Sequence, residues 1–394
     1  MNPELLVWGR ETIGYDLDEA ASKLGIDAER LTEWETGKSR PTVVQLFRIA
    51  SAYKRPFAAF YFFTPPTQWD ETLSDISDWR TLPEANSREL SPELVTELRE
   101  SVRRRDILLD LAEEMNEQIP TLQIPKPATL TTASARSLAT QVRDQLGVSV
   151  GDQKRFRDVH FGLRIWRNSV EQLGILVSQT GLNSRAPVKL EEMRGVAIWA
   201  EPLPIILLNG KDHPNARIFT LMHELGHLIL RQKSIINSSQ YIESAKCEEI
   251  FCNELAGELL VPSNTLLSDP LVVGQRHVDW SEETLEELAE SFCVSKEVIL
   301  RRLLANKRTS QAIYQKKRSL WRQEWRKQEE TSEKPSFPQR HHIRVFNRHG
   351  MRFVSTVLEA YGQGAINASQ LSEYIGAKLK HINNLRSYTA RALT

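Results

Sequence analysis

The sequence contains few cysteines and no long apolar run. Its three cysteines, Cys247, Cys252 and Cys293, are too few for a disulfide framework and suit a reducing compartment. No apolar stretch approaches the roughly 18 residues that span a bilayer, and the N-terminus lacks a basic-then-apolar leader. We therefore expect a cytoplasmic protein that makes no contact with a membrane.

The sequence also lacks an excess of charge of either sign. Lysine plus arginine and aspartate plus glutamate each total 51, so any case for nucleic-acid binding must come from a local segment. The length of 394 residues predicts about two to four globular domains. We divide the chain into an N-terminal domain (1–65), a helical connecting region (66–150), a central domain (151–310), a basic helix with a linker (311–343) and a small C-terminal helical domain (344–394).

The N-terminal segment has the layout of a helix-turn-helix bundle. Helix caps and helical apolar spacing occur in LDEAASKLGI (17–26), DAERLTEWETGK (27–38) and TVVQLFRIASAYK (42–54). With the segments on either side, these stretches predict about four or five short helices, of which the third would enter the major groove of DNA.

This segment resembles the phage-repressor type of domain (Cro/CI, or XRE). Trp34, Glu35, Gly37 and Pro41 fall where that family has its W-E-x-G-x-x-x-P motif. The resemblance implies contacts between duplex DNA and the third helix with the residues that follow it. The candidate DNA contacts are Arg30, Thr32, Lys38 and Arg40.

The charge of the same helix leaves DNA binding open. Phosphates attract cations and repel carboxylates, and this helix is acidic. Its carboxylates are those of Asp27, Glu29, Glu33 and Glu35. The alternative is a helix-turn-helix fold that serves as a protein-contact module.

The middle of the chain predicts helices and then strands. A long helix is expected over 91–118, with Ser91 as its cap and the run Arg103–Arg105 on a solvated face. Shorter elements follow, namely helices near 134–146 and 152–173 and strands within 174–181, 193–200 and 204–210. The fold class is therefore α+β and mainly helical, with a small sheet next to the helix that follows the strands.

The stretch FTLMHELGHLILRQ (219–232) contains a motif with a defined chemistry. His223 and His227 stand four residues apart on a predicted helix, so both imidazoles lie on one face and can bind one Zn²⁺ ion. Glu224 projects beside them, where it can take a proton from an attacking water and pass it to a leaving amine. Gly226 predicts the close approach of a neighbouring strand.

The residues alone do not identify the third zinc ligand. Leu230 and Lys233 stand where an extended motif would have a glycine and a third histidine. A strong helix is predicted over 243–262, and its carboxylates are the alternatives: Glu243, Glu248, Glu249, Glu254 and Glu258. We expect Cys247 and Cys252 on this helix to be small buried hydrophobes rather than ligands.

The two motifs together resemble those of the ImmA/IrrE metallopeptidases. FTLMHELGHLIL and EEIFCNELAGELLVP match the family's F-T-x-x-H-E-L-G-H and E-x-x-x-N-x-x-A-x-x-L-L-x-P. The resemblance implies a zincin-like domain in which His223, His227 and Glu249 hold Zn²⁺. It also implies an endopeptidase, latent until activated, that cleaves a repressor-like protein encoded nearby and so controls transcription in a stress or mobile-element response.

Two further questions are where a substrate would bind and whether the metal site is proteolytic. The strand residues Val196, Ala197, Ile198 and Trp199 are candidates for pairing with an extended substrate peptide. A second class of function is a DNA-binding regulator, or a toxin–antitoxin or phage-defence component, with a non-proteolytic metal site. Glu224 favours the peptidase, because a structural metal site has no use for a base beside an open coordination position. A homodimer is an open alternative to a monomer.

The C-terminal part begins with a basic segment. Residues 300–327 contain ten lysines and arginines against one glutamate, with Tyr314, Trp321 and Trp325 between them. This pattern fits either nucleic-acid binding or an amphipathic helix that packs its aromatic side chains on the central domain. We expect His341 and His342 in a flexible linker, and then strand-turn-strand followed by helices that form a second helix-turn-helix or a docking cap.

Overall fold

The structure, a computed structural model, describes residues 2–66, 90–181, 187–231, 239–275, 278–331 and 340–393. It divides into two compact units. One comprises Met1–Arg103 with Asn183–Met193, and the other comprises Arg104–Leu182 with Arg194–Thr394. None of the helices within the described ranges combines the length and apolar character that crossing a bilayer requires.

The first unit begins with a bundle of short helices. They are α1 (Glu4–Glu11), α2 (Leu17–Leu24), α3 (Ala28–Glu35) and α4 (Val43–Ala52), followed by a 3-10 turn at Phe57–Tyr61. Asp16 and Thr42 begin α2 and α4 with capping boxes, and Gly25 ends α2 in the left-handed conformation. Leu31 and Trp34 of α3 are buried in the core of the bundle. The predicted helix-turn-helix bundle is confirmed, with α2 and α3 as the two helices around the turn.

A long helix, α5 (Pro92–Glu114), follows, as predicted. Ser91 caps it, because its hydroxyl accepts the N–H of Leu94 at 3.2 Å. The N–H and hydroxyl of Ser91 in turn donate to the Glu192 carboxylate at 2.9 and 2.8 Å, within the same unit.

The expectation that the arginine run of α5, Arg103–Arg105, lies on a solvated face is wrong. Arg103 is exposed, but Arg104 is only 2% exposed. Arg105 lies in the second unit and donates to the carbonyl oxygen of Pro202 at 2.8 Å. The charge pattern of a helix does not show which of its faces a distant segment of the chain will cover.

The second unit contains a small sheet between helices. The helices before it are α6 (Thr132–Leu146), α7 (Val150–Gln153) and α8 (Val159–Gln172). Three strands form the sheet within the described residues: β1 (Leu176–Gln179), β2 (Gly195–Ile198) and β3 (Ile205–Leu208). β3 is central, parallel to β1 and antiparallel to β2, with Ala197 opposite Ile206. β2 is therefore an edge strand of this sheet.

Two long helices pack against each other behind the sheet. They are α9 (Pro214–Leu230), which also contacts β2 and β3, and α10 (Ser239–Leu260). Ile218, Leu221 and Leu225 of α9 are fully buried in a core shared with α10 and the strands. The predicted mainly helical α+β fold, with a small sheet on the HExxH helix, is confirmed.

The rest of the second unit is helical. Its helices are α11 (Ser263–Leu267), α12 (Pro270–Val273), α13 (Glu282–Phe292), α14 (Lys296–Ala305), α15 (Gln311–Thr331), α16 (His341–His349), α17 (Met351–Gln363), α18 (Ala368–Ile375) and α19 (Ile382–Leu393), with a 3-10 turn at Leu379–His381. The predicted strand-turn-strand is wrong, because α16 and α17 occupy that segment. Val345 and Phe346 are adjacent and buried, and a short apolar run of this kind fits a strand and a helix equally well.

The tandem histidines also differ from expectation. His341 and His342 begin α16, and the His341 ring stacks on that of His381 with 4.3 Å between centroids. Most of the predicted linker, residues 332–339, lies outside the described residues.

Candidate metal centre

Helix α9 begins and ends at well-defined residues. His213 caps it by accepting the N–H of Asn215 at 3.3 Å, Pro214 occupies its first turn, and Arg231 ends it in the left-handed conformation. Its apolar face is buried, so the opposite face, with His223 and His227, turns away from the core. His213 itself is exposed.

Helix α10 approaches α9 at a glycine. A Cβ atom on Gly226 would lie 3.0 Å from the sulfur of Cys252 and 3.4 Å from its Cα. The expectation that Gly226 accommodates a strand is therefore wrong, because its neighbour is a helix. The strand makes its close approach at Gly195 of β2, where a Cβ would lie 2.4 Å from Cγ2 of Thr220 and 3.1 Å from Cγ of Glu224.

The approach of the two helices brings His223, His227 and Glu249 together. The two Nε2 atoms are 3.1 Å apart, and the Glu249 carboxylate oxygens lie 3.2 Å from His227 Nε2 and 3.4 Å from His223 Nε2. Tetrahedral Zn²⁺ with bonds of about 2.0–2.2 Å needs ligand atoms about 3.3–3.6 Å apart. Each imidazole has a different Glu249 oxygen at close to this spacing, and one ligand atom from each of the three residues lies within 4.8 Å of the others. Among the described residues, no other cluster of three such side chains could hold a metal.

Electrostatics in the triangle fit a site built for a cation. Burial opposes ionisation of Glu249, but hydrogen bonds with His223 and His227 outweigh it and lower its pKa well below the usual range. Burial likewise opposes a charge on His227, but hydrogen bonds with Cys252 and Glu249 raise its pKa to about 11. A carboxylate kept ionised beside two imidazoles is a donor set that suits zinc.

The other possible third ligands lie elsewhere. Glu254 and Glu258 form ion pairs with Arg302. Glu248 is not part of the metal-sized cluster, and the side chain of Glu243 lies outside the described residues.

The two cysteines of α10 differ from each other. Cys252 is buried as expected, with its thiol against His227, whereas Cys247 is exposed. The expectation for Cys247 is wrong because the five-residue offset turns it away from the face of α10 that packs on α9.

Glu224 lies between the triangle and the edge strand. Burial raises the pKa of its carboxyl, and the nearby His227 and His223 oppose that rise. The backbone N–H of Ala197 donates to this carboxylate. The N–H of Asn209 donates to the carbonyl of Arg194 at 2.8 Å. The alternation of an antiparallel ladder therefore points the N–H and C=O of Ala197 away from β3, towards the open edge of β2.

The side chains of the candidate substrate strand alternate between buried and half-buried positions. Val196 and Ile198 are buried, whereas Ala197 and Trp199 are half-buried. The Trp199 ring lies under the Arg231 guanidinium at 5.5 Å. The edge that faces away from β3 therefore runs past Glu224. There the Ala197 N–H donates to the Glu224 carboxylate, and the Ala197 carbonyl points to the open edge.

The candidate DNA contacts lie on the surface of the first unit. Arg30, Thr32, Lys38 and Arg40 are exposed. The Arg30 guanidinium lies 5.7 Å from the Trp34 ring, and the Thr32 hydroxyl donates to the carbonyl of Ala28 at 2.9 Å.

The basic helix α15 packs its aromatic residues on the second unit. Tyr314 is buried, and the Trp321 N–H donates to Glu282 at 2.9 Å. Lys317 pairs with the same carboxylate at 2.7 Å. These contacts favour the amphipathic-helix alternative, although the side chain of Trp325 lies outside the described residues.

Two residues beside the centre were given no role from the sequence, although one of them, Asn253, is the asparagine of the second family motif. The Asn253 side chain donates to the Glu249 carbonyl at 2.7 Å, and Arg301 donates to the Asn253 side chain at 3.0 Å. The four-residue spacing of Asn253 from Glu249 could have suggested the first contact. The local sequence gives no signal for Arg301, since it comes from a helix 48 residues further along the chain.

Two parts of the chain match models of known domain families. Residues 170–304 match the family model of the IrrE N-terminal-like domain of M78 peptidases, and residues 8–60 match a helix-turn-helix model. No curated protein matches the chain. The chain thus has an ImmA/IrrE-type metallopeptidase domain behind an N-terminal helix-turn-helix domain of the XRE type.

Proposed function

We propose that this protein is a zinc-dependent endopeptidase that cleaves a repressor-like regulatory protein and so controls transcription. The observation that supports it best is the triangle of His223, His227 and Glu249 with Glu224 at its side. The matched ranges lie inside the domains proposed at 1–65 and 151–310.

His223, His227 and Glu249 would hold the metal. Bound Zn²⁺ supplies a Lewis acid that polarises the scissile carbonyl and makes water a better nucleophile. Glu224 takes one proton from the water whose oxygen attacks the carbonyl carbon. It then gives that proton to the amide nitrogen as the C–N bond breaks, so one peptide and one water yield a carboxylic acid and an amine.

Glu224 suits both steps of this proton transfer. Burial raises the pKa of its carboxyl towards the range in which a group can both accept and donate near neutral pH. The Ala197 N–H fixes one side of the carboxylate, which directs the other towards the triangle.

The edge strand β2 would hold the substrate. An extended peptide that donates an N–H to the Ala197 carbonyl would run alongside Glu224, so its own scissile carbonyl carbon would pass close to the base. Val196 and Ile198 are buried on the other face of the sheet, which holds the strand in place.

The replacement Glu224→Gln tests this function. The zinc-loaded protein is incubated with the repressor-like product of the neighbouring gene, and fragments are identified by mass spectrometry. We expect cleavage by the wild type and by the control Glu248→Gln. Glu224→Gln should lose cleavage by at least about a hundredfold and keep its zinc. Persistent cleavage by Glu224→Gln would contradict the proposal.

A second function, binding to duplex DNA, is favoured by the cations on and after α3. Arg30, Lys38 and Arg40 are exposed, and one of the acidic residues that would oppose them, Glu35, is neutralised by Arg10. We propose that the first domain directs the peptidase to DNA.

A further inference from the structure

Arg301 lies one helical turn from the metal triangle. Phe219 precedes His223 by four residues on α9, and their rings stack with centroids 6.4 Å apart. Asn253 follows Glu249 by four residues on α10. The Arg301 guanidinium lies 5.7 Å from the Phe219 ring and donates from Nη1 to the Asn253 side chain at 3.0 Å. Arg301 therefore spans both helices on the face that contains His223 and Glu249.

The neighbouring Arg302 has a structural role and serves as a comparison for Arg301. Its side chain is 1% exposed and forms ion pairs with Glu254 and Glu258. It also donates to the Val261 carbonyl and to the Ser263 hydroxyl. Both its charge and its donors are therefore satisfied within the fold.

Arg301 is half-buried, and its partners are neutral. Besides Asn253, it donates from Nη2 to the Tyr314 hydroxyl at 3.3 Å. Glu297, an acidic residue in this network, instead accepts from the Tyr314 hydroxyl at 3.1 Å and forms an ion pair with Arg318 at 2.9 Å. Within the ranges that the structure describes, Arg301 forms no ion pair.

The Arg301 guanidinium is therefore a fixed positive charge beside the metal triangle, and it has N–H donors that are not used. A guanidinium has about five N–H donors, and the described contacts use two. The packing against Phe219 and Asn253 fixes its position before any ligand arrives, so little side-chain entropy is lost on binding. A ligand that supplies a carboxylate would complete a charge-assisted pair.

We propose that Arg301 determines substrate specificity by binding a carboxylate of the substrate close to the scissile bond. This inference rests on the proposed peptidase function. One helical turn is about 5.4 Å and an extended peptide advances about 3.3 Å per residue, so the carboxylate belongs to an Asp or Glu within about two residues of the cleaved bond. The carboxylate at the C-terminus of a short peptide is the other source with the same chemistry.

Peptide hydroxamates test the inference through binding rather than turnover. Two series are made, one extending from the hydroxamate in each chain direction, and each contains an Asp and an Asn member. The series that extends towards the C-terminus is amidated there, and its third member keeps Asn and has a free C-terminal acid. Affinities are measured by calorimetry with the full-length, zinc-loaded wild type, Arg301→Gln, Arg301→Lys and the exposed control Arg322→Gln.

We expect the wild type and Arg322→Gln to bind the Asp member of one series about tenfold more tightly than its Asn partner. Arg301→Gln should abolish the difference with unchanged zinc content, and Arg301→Lys should keep part of it. Tighter binding of the free acid alone would assign the carboxylate to the chain terminus and overturn the side-chain assignment. Equal affinities throughout, or a preference that survives in Arg301→Gln, would overturn the role of Arg301. Zinc-independent binding, or none, would instead count against the proposed zinc site.

Discussion

Arg10 and Glu35 form a two-pronged ion pair inside the helix-turn-helix bundle. Nε of Arg10 donates to Oε1 of Glu35 at 2.7 Å, and Nη2 donates to Oε2 at 2.9 Å. The Glu35 side chain is only 6% exposed. Glu35 thus connects α3 to α1 and does not present its charge to DNA, so α3 is less acidic towards the solvent than its sequence indicates.

Replacing Glu35 with glutamine should destabilise the first domain. The change leaves the largely buried Arg10 with only the solvent-exposed Glu11, at 3.7 Å, as a counter-charge, which costs about 2 kcal/mol. Hydrogen exchange of the backbone amides in α1 and α3 measures the loss as faster exchange. The exposed control Glu29→Gln should change exchange in these helices little, and equal effects of the two variants would contradict the structural role of the pair.

The cations on and after α3 should control DNA affinity if the domain binds DNA. Lys38→Gln and Arg40→Gln should each weaken binding to the DNA upstream of the gene. Each should reduce the slope of log affinity against log salt by about one, because each removes about one phosphate contact. Glu29→Gln should strengthen binding, and Lys126→Gln in the second unit serves as the control. Gel shifts at graded salt measure these effects, and binding that does not depend on salt would exclude the DNA role.

The choice between two adjacent glutamates predicts a difference in zinc affinity. Glu249→Ala should weaken zinc binding by more than about a hundredfold, since loss of an outer-shell contact alone costs about 10- to 100-fold. Glu248→Ala should leave the affinity within about a factor of three, because Glu248 lies outside the cluster. Competition titration with a chromophoric chelator compares the two variants, and similar losses in both would reject Glu249 as the ligand.

Local periodicity was enough to place His223, His227 and Glu224. A four-residue spacing fixes a shared helical face wherever the helix packs, so the two imidazoles could be assigned to one site from the sequence alone. The strands and most helices were predicted for the same reason, because caps and apolar spacing act over a few residues.

Contacts between distant segments could not be predicted in this way. Spacing gave no preference for Glu249 over Glu248, since the choice depends on how α10 is rotated against α9, and only the family resemblance selected it. Arg104 and Arg301 likewise depend on segments far away in the chain that cover or approach them. Gly226 was correctly expected to allow close packing, but a missing side chain does not show whether a strand or a helix fills the space.

Glu171 should make the stability of the second unit depend on pH. Its carboxylate accepts the backbone N–H groups of Met351 and Arg352, both at 3.0 Å, where α17 begins. These contacts fix the C-terminal helices to α8, which favours the docking-cap alternative for this domain. Burial raises the pKa of Glu171 from 4.5 to about 7, although the charges of Arg167 and Arg352 oppose that rise.

The sign of the effect follows from this raised pKa. Between pH 4.5 and about 7 the folded protein keeps the Glu171 proton that the unfolded chain has lost. Stability from this group is therefore complete below pH 4.5 and falls as the pH rises to about 7, by about 3 kcal/mol in total. Glu171→Gln keeps an acceptor for the two N–H groups and has no proton to lose, so it should remove this decline. Denaturant unfolding at pH 5 and pH 8 compares it with the exposed control Glu359→Gln, which should behave as the wild type. If the free energy of unfolding changed with pH in the same way in the wild type and Glu171→Gln, Glu171 would be ionised in the folded protein throughout this range.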